Sequence, residues 1–535
     1  MKTPSITMES SYLTHPSWGT LLEIPLQIVR VELEVTQPVR FKHFYHGNVI
    51  RSLLLHLFKE EELQADHNLP AGVVPVPVEN GYLHYQPGDS YVFGIVLIGH
   101  AENFLNRIHT RLTRKTHTSN GVLRLGETVQ LQQFYSQAVN LGELCDRIIG
   151  KKIQQFRIRL LTPVWIDREA PDRVPGHSRY DRQLFRFDMM IKKIFDRLRN
   201  LYQTGTLSTA VPPAPDPAFH ASFKIHHQYL TWVELPTKKR RHNYGGVVGQ
   251  LQVTGPLNEV ILPLLLGQFI HIGEKINFGF GYYDLPDLCP ELSQFWRPAQ
   301  TFVQRMVQPA VLDAAFRKLK QRSKMPGVDQ IALDDLEALY PQWESFLREY
   351  LFKEIYKKNS LLELLQKDSK RRLNDISLIV LLDRWLQNSL LVVMEPAIET
   401  LLEDCSYAYR KNYSRQRARE ALRLAYNEGY RYVLESDIEN FFDVVEWDIL
   451  FQKIQALYPY DSIIDLIKQW VTAPVDFRGQ CIQREKGLPQ GAVISPLLSN
   501  LYLDEFDEKL QRLGFRIIRF ADDFVILCKN RAEAE

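Results

Sequence analysis

Hydrophobic and polar residues follow two different periods in the first part of the chain. Towards the end of the segment 23–35, apolar residues fall on every second position, which predicts a strand with one buried face. The segment 50–58 instead has apolar residues at positions 50, 53, 54, 57 and 58, the spacing of one face of a helix. The pattern therefore predicts a strand followed by an amphipathic helix.

Three short strands are predicted near the C-terminus. Residues 431–436 contain Tyr, Val and Leu in a run typical of a strand. The apolar runs 516–520 and 524–527 are separated by Ala-Asp-Asp, which predicts a hairpin with Asp522 and Asp523 at its turn.

A helix is predicted ahead of that hairpin. Ser495 suits an N-cap, and Pro496 suits the first helical position. Before the helix, Gly487-Leu-Pro-Gln-Gly491 contains glycines that would let the backbone approach a bound group, such as a base pair, closely. Apolar residues then recur at helical spacing and predict a buried face: Leu498, Tyr502, Phe506, Leu510 and Leu513.

Carboxylates stand at the ends of the predicted C-terminal strands. Asp437 follows the strand 431–436, and Asp522 and Asp523 occupy the predicted turn. If these strands adjoin in one sheet, Asp437 and Asp522 can share two Mg²⁺ ions about 3.5–4 Å apart, the arrangement used in nucleotidyl transfer. An isolated Asp-Asp pair is more often an ordinary turn, but its combination with the neighbouring segments favours a metal site.

Composition sets limits without identifying an activity. Lys and Arg number 65 against 63 Asp and Glu, so the net charge of +2 does not by itself indicate a nucleic-acid binder. Five widely separated cysteines favour buried thiols over a zinc site or a disulfide framework. With no apolar run near the roughly 18 residues of a membrane span and no secretory pattern, we expect a cytoplasmic protein with no membrane partner.

Three C-terminal segments together resemble the reverse transcriptases of group II introns and their bacterial relatives. The segments are Ser436-Asp-Ile-Glu-Asn-Phe-Phe-Asp443, Gly487-Leu-Pro-Gln-Gly491 and Phe520-Ala-Asp-Asp523. Upstream, Lys324-Met-Pro-Gly-Val-Asp329 and Ser406-Tyr-Ala-Tyr-Arg410 resemble earlier motifs of the same family. The resemblance implies an RNA-directed DNA polymerase that uses an RNA template, a DNA primer and dNTPs.

The resemblance also implies roles for individual residues. Asp437 and Asp522 would be metal ligands for two Mg²⁺ ions, with Asp523 in support. Phe442 matches the bulky position that rejects a ribose 2′-hydroxyl, and Gln490 would contact the incoming nucleotide.

Two basic residues match the triphosphate-binding finger of the family. They are Lys367 and Arg372, and the match agrees with the preference of Arg for bidentate phosphate contacts and of Lys for point-charge contacts. A solvated basic turn is the alternative. The chain ends twelve residues after Asp523, so we expect the thumb to come from a longer polypeptide or from another chain.

The N-terminal half carries a different set of segments. Lys42-His-Phe-Tyr-His46-Gly47 precedes the predicted helix, and glycine alternates with aromatic residues at 278–282. Such a loop can bring amides close to a phosphate backbone, although a tight turn or bulged strand explains it about as often. With 85–94 and 157–163, these segments resemble the CRISPR-associated endoribonucleases of the RAMP superfamily.

The second resemblance implies metal-independent cleavage of precursor CRISPR RNA within its repeats, without a cofactor. The 2′-hydroxyl would attack and leave a 2′,3′-cyclic phosphate, a reaction that uses a general base near neutral pH. His46 fits the family's position between first strand and first helix, and His43 and His271 are further candidates. A structural or merely exposed histidine is the alternative at each position.

Other residues of this half are candidates for RNA contact. Lys42 and the basic run 238–241 could neutralise phosphate charge, although a solvated loop explains the run equally well. The complete set of proposed RNA contacts is Lys42, Lys238, Lys239, Arg240, Arg241, Gly279 and Gly281.

The fold class expected from both resemblances is α+β. Residues 1–290 would form two tandem ferredoxin-like modules of the RAMP/RRM-like type, with a Pro-rich insertion near 204–221. A linker would span 291–309, and 310–535 would form the fingers and partial palm of a reverse transcriptase, without its thumb. All 15 histidines lie at or before His271, which agrees with two halves of different chemistry.

A nuclease joined to a reverse transcriptase resembles fusion proteins that also carry a CRISPR integrase. The expected function is therefore repeat processing combined with reverse transcription for spacer acquisition from RNA. Partners would be CRISPR repeat RNA, the integrase and its small adaptor subunit. Three alternatives stay open: an N-terminal half that only binds repeat RNA, a mobile-intron or defence reverse transcriptase with an unrelated RNA-binding domain, and a non-catalytic scaffold.

Overall fold

The computed structural model describes most of the chain in two compact units, Met1–Ala299 and Gln300–Glu535. The division between the units falls inside the predicted linker 291–309, which contains the helix Phe302–Met306 and most of the helix Pro290–Phe295. The described residues are 17–58, 63, 68–113, 122–151, 153–164, 185–208, 211, 223–235, 244–257, 260–322, 333–338, 340–342, 344–345, 347, 375–473, 475–477 and 480–535.

The first unit begins with a ferredoxin-like module. Its sheet has the antiparallel order β3-β5-β1-β6, in which the strands of a β-α-β-β-α-β chain follow the order second, third, first, fourth. The elements are α1 (Ser17–Leu22), β1 (Leu26–Val35), β2 (Val39–Arg40), α2 (Gly47–Leu55), β3 (Val73–Pro77), β4 (His84–Tyr85), β5 (Ser90–Ile98), α3 (Leu105–Thr113) and β6 (Val129–Ala138).

The second module repeats the same topology. Its sheet has the order β10-β7-β9-β8, again second-third-first-fourth when read from the opposite edge, and every adjacent pair is antiparallel. Two ferredoxin-like modules therefore occur in tandem, and the predicted α+β class is confirmed. The elements are α4 (Leu141–Gly150), β7 (Gln155–Val164), α5 (Phe187–Gln203), β8 (Lys224–Leu235), β9 (Tyr244–Thr254), α6 (Ile261–Ile270), β10 (Tyr283–Asp284) and α7 (Pro290–Phe295).

Burial along the strands explains the sequence pattern. From Val29 to Val35, residues of β1 alternate between buried and half-buried positions, as the period of two predicts. By contrast, β5 is buried on both faces after Ser90, and Gly94 lies directly against the Trp296 indole. A Cβ atom at Gly94 would lie 2.2 Å from that ring, so this position has no room for a side chain.

The second unit contains mostly helices around a small antiparallel sheet of order β11-β15-β14. Its elements are α8 (Phe302–Met306), α9 (Pro309–Arg322), α10 (Leu333–Ala338), α11 (Asp375–Ile398), α12 (Arg415–Asn427), β11 (Tyr432–Ser436), α13 (Phe441–Val444), α14 (Trp447–Leu457), α15 (Ile463–Thr472), β12 (Val475–Phe477), β13 (Gln480–Ile482), α16 (Ser495–Arg512), β14 (Arg516–Phe520), β15 (Asp523–Cys528) and α17 (Arg531–Ala534). Among these residues and those of the first unit, no helix is long and apolar enough to cross a membrane.

Strand β11 forms one edge of that sheet. All five of its residues are exposed, including Val433 with 56% of its surface accessible. The central strand β15 pairs with β11 and, through a short turn, with β14. Ile518 of β14 and Leu527 of β15 are buried in a cluster with Ala418 and Ala425 of α12.

The helix before the hairpin differs from its predicted details. Its N-cap is Ile494 rather than Ser495, and Pro496 is therefore the second helical residue. The Ser495 hydroxyl instead donates to the Pro489 carbonyl at 2.8 Å, because the preceding loop passes beside it. Leu513, predicted to be buried, is 54% exposed because the helix ends one residue earlier.

Candidate active sites

Strand pairing brings the C-terminal carboxylates to one end of the sheet. Phe520 and Asp523 pair across the hairpin, which leaves Ala521 and Asp522 as a two-residue turn. Ser436 of β11 pairs with Phe524 of β15. Asp437 and Asp523 each lie one position beyond that pair, so the three aspartates of the predicted metal site are neighbours.

Electrostatics at the turn agree with this proximity. Partial burial, followed by the negative charges of Asp437 and Asp522, raises the pKa of Asp523 above its ordinary value. Arg415 acts in the opposite direction, and its guanidinium lies 5.3 Å from the centre of the Phe520 ring. Sequence reasoning missed Arg415, whose position on a helix distant in sequence gives no local signal.

The donor set fits Mg²⁺. Carboxylate oxygens are the ligands this ion prefers, and a cation would relieve the mutual repulsion of the aspartates. Within the described ranges, no three His, Cys, Asp or Glu side chains already converge as a metal-binding group. Binding would therefore draw the carboxylates together from positions that strand pairing has already made adjacent.

The glycine loop packs against the segment after Asp437. The Gly487 amide donates to the Val445 carbonyl at 2.8 Å, and the Leu488 amide donates to the Phe442 carbonyl at 2.6 Å. Trp447, another residue that the sequence analysis did not single out, donates its indole N–H to the Gly487 carbonyl at 2.7 Å. These bonds fix the loop beside Phe442.

The loop geometry requires glycine at one position. Gly487 has a φ of +93°, and an added Cβ would lie 2.8 Å from the Phe442 carbonyl oxygen. Phe442 is half-buried and Gln490 is exposed. The structure thus brings the predicted sugar-contacting and nucleotide-contacting residues to the same region, with Gln490 accessible from solvent.

Several predicted binding residues lie outside the described ranges. They are the two finger residues and the four residues of the basic run: Lys367, Arg372, Lys238, Lys239, Arg240 and Arg241.

A second candidate site occurs in the first unit, where helix α2 begins. The Gly47 backbone touches the glycine-rich turn so closely that a Cβ at residue 47 would lie 1.6 Å from the Phe278 carbonyl oxygen. Gly279 and Gly281 have φ values of +72° and +77°, which few other residues adopt. The Arg51 guanidinium lies 5.0 Å from the centre of the Phe278 ring and adds positive charge beside the turn.

The candidate histidines differ in their accessibility. His46 is only 1% exposed and stacks on Phe41 with ring centres 3.9 Å apart. Its Nδ1 lies 3.4 Å from the Tyr91 hydroxyl. His46 therefore packs in the protein interior at the start of α2. Its imidazole is not accessible to a bound RNA in this conformation.

His271 is also enclosed. It is fully buried, has a φ of +58°, and its Nδ1 lies 3.2 Å from the Phe280 carbonyl oxygen. Burial lowers the pKa of His271 to about 3, so the side chain is neutral across the physiological range.

His43, in contrast, is exposed beside exposed Lys42. Partial burial, followed by the Lys42 charge, lowers the pKa of His43 below its ordinary value of 6.5. The imidazole is consequently neutral at neutral pH, the form that can accept a proton.

Comparison with known families assigns a domain to each unit. The sequence model described as reverse transcriptase (RNA-dependent DNA polymerase) matches residues 356–535. The model described as CRISPR-associated endoribonuclease Cas6 matches residues 158–283.

Curated relatives match the chain over part of their length. Protein YkfC of Escherichia coli K12 is 28% identical over 217 residues, which cover 39% of this chain and 57% of that protein. The group II intron-encoded protein LtrA of Lactococcus lactis subsp. cremoris is 26% identical over 153 residues, which cover 29% of this chain and 25% of that protein. The chain thus spans about half or less of the length of these relatives.

Solved structures share the fold of nearly the whole chain. A partial Cas6-RT-Cas1--Cas2 complex aligns with a TM-score of 0.62 and 20% identity over 95% of this chain and 88% of that chain. A second structure, of the Cas6-RT-Cas1--Cas2 complex, gives the same score and identity over 95% of this chain and 55% of that chain.

The class of protein follows from the fold, the two sites and the family matches. The chain contains two nucleic-acid enzyme domains, an endoribonuclease domain and an RNA-directed DNA polymerase domain. It is a fusion of a Cas6-type domain with a reverse transcriptase domain, which confirms the predicted combination. Reverse transcriptase domains typically depend on Mg²⁺, in agreement with the aspartate donor set.

Proposed function

We propose that the chain carries out RNA-directed DNA synthesis and cleaves precursor CRISPR RNA at its repeats. The observation that carries the polymerase assignment is the strand pairing that places Asp437 beside the Asp522-Asp523 turn. The observation that supports the nuclease assignment is the contact between the start of α2 and the glycine-rich turn. The substrates of DNA synthesis are an RNA template, a DNA primer and dNTPs. The substrate of the nuclease is CRISPR repeat RNA.

In the polymerase site, Asp437 and Asp522 would hold two Mg²⁺ ions, and Asp523 would support them. When bound, such ions stabilise the attacking and leaving oxygens of an in-line phosphoryl transfer. The glycine loop allows the nucleotide to approach the backbone, and Gln490 contacts it. Phe442 occupies the space that a ribose 2′-hydroxyl needs, which gives selectivity for deoxynucleotides.

In the nuclease site, we assign the general base to His43. Its neutral imidazole takes the proton of the RNA 2′-hydroxyl as O2′ bonds to phosphorus. The P–O5′ bond breaks as O5′ takes a proton from water, and the products are a 2′,3′-cyclic phosphate and a 5′-hydroxyl. Exposed Lys42 would supply positive charge to the scissile phosphate, and no metal would take part. Gly279 and Gly281 are buried, and their amides donate to the Ile276 and Pro163 carbonyls, so they would shape the turn and not bind the phosphate themselves.

A second function for the N-terminal unit is binding without cleavage. The burial of His46 and His271 favours it, because neither imidazole can reach a bound phosphate in this conformation. The unit would then present repeat RNA to the polymerase as a template.

A CRISPR integrase and its small adaptor subunit are the protein partners we propose, since the structures of similar fold are complexes that include Cas1 and Cas2. The combined activities would support spacer acquisition from RNA in the cytoplasm. The alternative is a mobile-intron or defence reverse transcriptase. In that case the protein should bind CRISPR repeats no better than unrelated RNA, which a competition binding assay measures.

The polymerase assignment is tested with Asp522→Ala combined with Asp523→Ala. We expect Mg²⁺-dependent primer extension on an RNA template to fall below detection while RNA cleavage in EDTA is unchanged. Asp448→Ala, on the exposed side of α14, is the matched control and should extend primers normally. Primer extension by the double variant would refute the metal site.

The nuclease assignment is tested by incubating the protein with its host's CRISPR repeat RNA in EDTA. A single cut that His43→Ala slows by about 10²- to 10⁴-fold, the usual contribution of a general base, supports His43. Loss of the cut in His46→Ala or His271→Ala alone would assign the base there. If the unaltered protein and all three variants bind the repeat RNA tightly but none cuts it, the N-terminal unit binds and presents RNA without cleaving it.

A further inference from the structure

An arginine without solvent exposure lies directly behind the catalytic turn. Arg519, near the end of β14, is 0% exposed, as is Asp507 of α16. Its Nε and Nη2 donate to the two Asp507 carboxylate oxygens at 2.7 and 2.5 Å. The pair has the parallel, bidentate geometry that makes arginine–carboxylate contacts directional.

The remaining guanidinium nitrogen reaches the turn itself. Nη1 donates to the Ala521 carbonyl at 2.8 Å and lies 3.3 Å from the Asn500 side-chain oxygen. Ala521 has a φ of +64°, a left-handed conformation that a non-glycine residue keeps only when its surroundings impose it. Arg519 therefore restrains the peptide group that joins Ala521 to Asp522.

The same residues connect the turn to other parts of the polymerase unit. The Asn500 amide donates to the Ala408 carbonyl at 2.9 Å, and the Ser406 hydroxyl lies 3.3 Å from the Asn500 oxygen. The backbone of Arg519 also bonds to the 405–407 segment on both sides. Asn500 and Asp507 belong to α16, the helix that follows the glycine loop. Arg519 therefore links this helix to the aspartate turn through hydrogen bonds.

We propose that Arg519 is a positioning residue for the metal site, holding Ala521 left-handed so that the Asp522 carboxylate faces Asp437. The inference rests on the proposed polymerase function. If Arg519 only stabilised the fold, any replacement that kept the chain stable would also keep metal binding at the aspartates. Metal affinity separates the two roles, because it depends on carboxylate orientation even when the fold is intact.

The main test replaces the buried ion pair by apolar residues. Arg519→Met with Asp507→Leu removes both charges at once, a change that often leaves stability unaltered. It also removes the donor to Ala521. Arg519→Lys is the second variant, because it keeps a positive charge beside Asp507 but lacks the fork needed to bind Asp507 and Ala521 together.

A matched control comes from another buried cation. Lys453 is 5% exposed and donates at 3.0 Å to the Tyr502 carbonyl of α16. Its charge also acts on Asp507, so its removal controls for a change of charge near the Arg519–Asp507 pair. Lys453→Met disturbs the same helix without touching Ala521. Thermal unfolding of the full chain establishes the folded state of each variant.

The measurement is Mn²⁺ binding to the full chain, followed by electron paramagnetic resonance. We expect both Arg519 variants to bind Mn²⁺ about 10- to 100-fold more weakly than the unaltered chain, and Lys453→Met to bind normally. Unchanged affinity in either folded Arg519 variant would overturn the proposal. If the unaltered chain shows no Mn²⁺ site that Asp522→Ala removes, the proposed polymerase site itself is wrong.

Discussion

Replacement of Gly47 by Ala tests whether the first turn of α2 and the glycine-rich turn form one RNA site. Gly47 is the first residue of that helix and its φ is not positive, so alanine is compatible with its backbone. The added methyl carbon would lie 1.6 Å from the Phe278 carbonyl oxygen and 2.6 Å from its carbon. The substitution is therefore a purely steric perturbation of the contact.

The size of the effect follows from the overlap. Ordinary contact distances require the two backbones to separate by roughly 1.5 Å or more, because the obstructing atoms belong to the main chain and cannot rotate away. Overpacking of this kind costs typically 1–3 kcal/mol, and we expect about 3 kcal/mol here. A loss of about 3 kcal/mol raises the population of the locally open state about 100-fold.

Hydrogen–deuterium exchange of the full chain measures that population directly. Amides of peptides covering 47–55 and 276–281 should exchange about 100-fold faster in Gly47→Ala, while peptides from the polymerase unit exchange at unchanged rates. Repeat RNA binding should weaken in parallel. Gly150→Ala is the control, since nothing lies within 4 Å of a Cβ at that helical position.

Two results would refute the reasoning. Exchange in Gly47→Ala equal to that of Gly150→Ala would mean that the contact does not constrain the turn. Faster exchange with unchanged RNA affinity would mean that the contact is real but that RNA does not bind there.

Three further predictions concern the two sites. Phe442→Ala should raise the ratio of ribonucleotide to deoxynucleotide incorporation by about 10- to 100-fold in primer extension, and an unchanged ratio would contradict its steric role. The acid limb of the pH–rate profile for RNA cleavage should lie below pH 6.5, because the lowered pKa of His43 keeps the base neutral until more acid is added; a limb above 6.5 would exclude His43. Gly487→Ala should slow nucleotide incorporation more than Gly491→Ala, because both glycines have positive φ but only Gly487 faces backbone atoms; equal effects would count against the packing of the loop on Phe442.

Local patterns were sufficient for the polymerase strands. The runs 431–436, 516–520 and 524–527 combine strand residues with a short polar turn, and both signals act over a few neighbouring positions. Their strand assignments therefore hold in the structure. The adjacency of Asp437 and Asp522 needed a further assumption, that the strands share a sheet, and the resemblance to reverse transcriptases supplied it.

Burial of polar residues could not be predicted in the same way. Asp507 and Glu508 look like the solvent side of an amphipathic helix, yet both are buried. Asp507 is compensated by Arg519 of the next strand, a pairing that appears only when the helix packs on the sheet. His46 and His271 are similar, since their accessibility depends on aromatic and backbone neighbours brought in by tertiary packing.

The exposed edge strand β11 has a consequence for how the chain behaves in solution. Unpaired backbone donors and acceptors on an apolar edge are a template for intermolecular strand addition. In the part of the chain that the structure describes, Tyr432, Val433 and Leu434 present such an edge, and Asp437 follows directly after it. Strand addition at this edge would therefore occur beside the aspartates proposed to bind Mg²⁺, so that self-association at high protein concentration and loss of metal binding would go together.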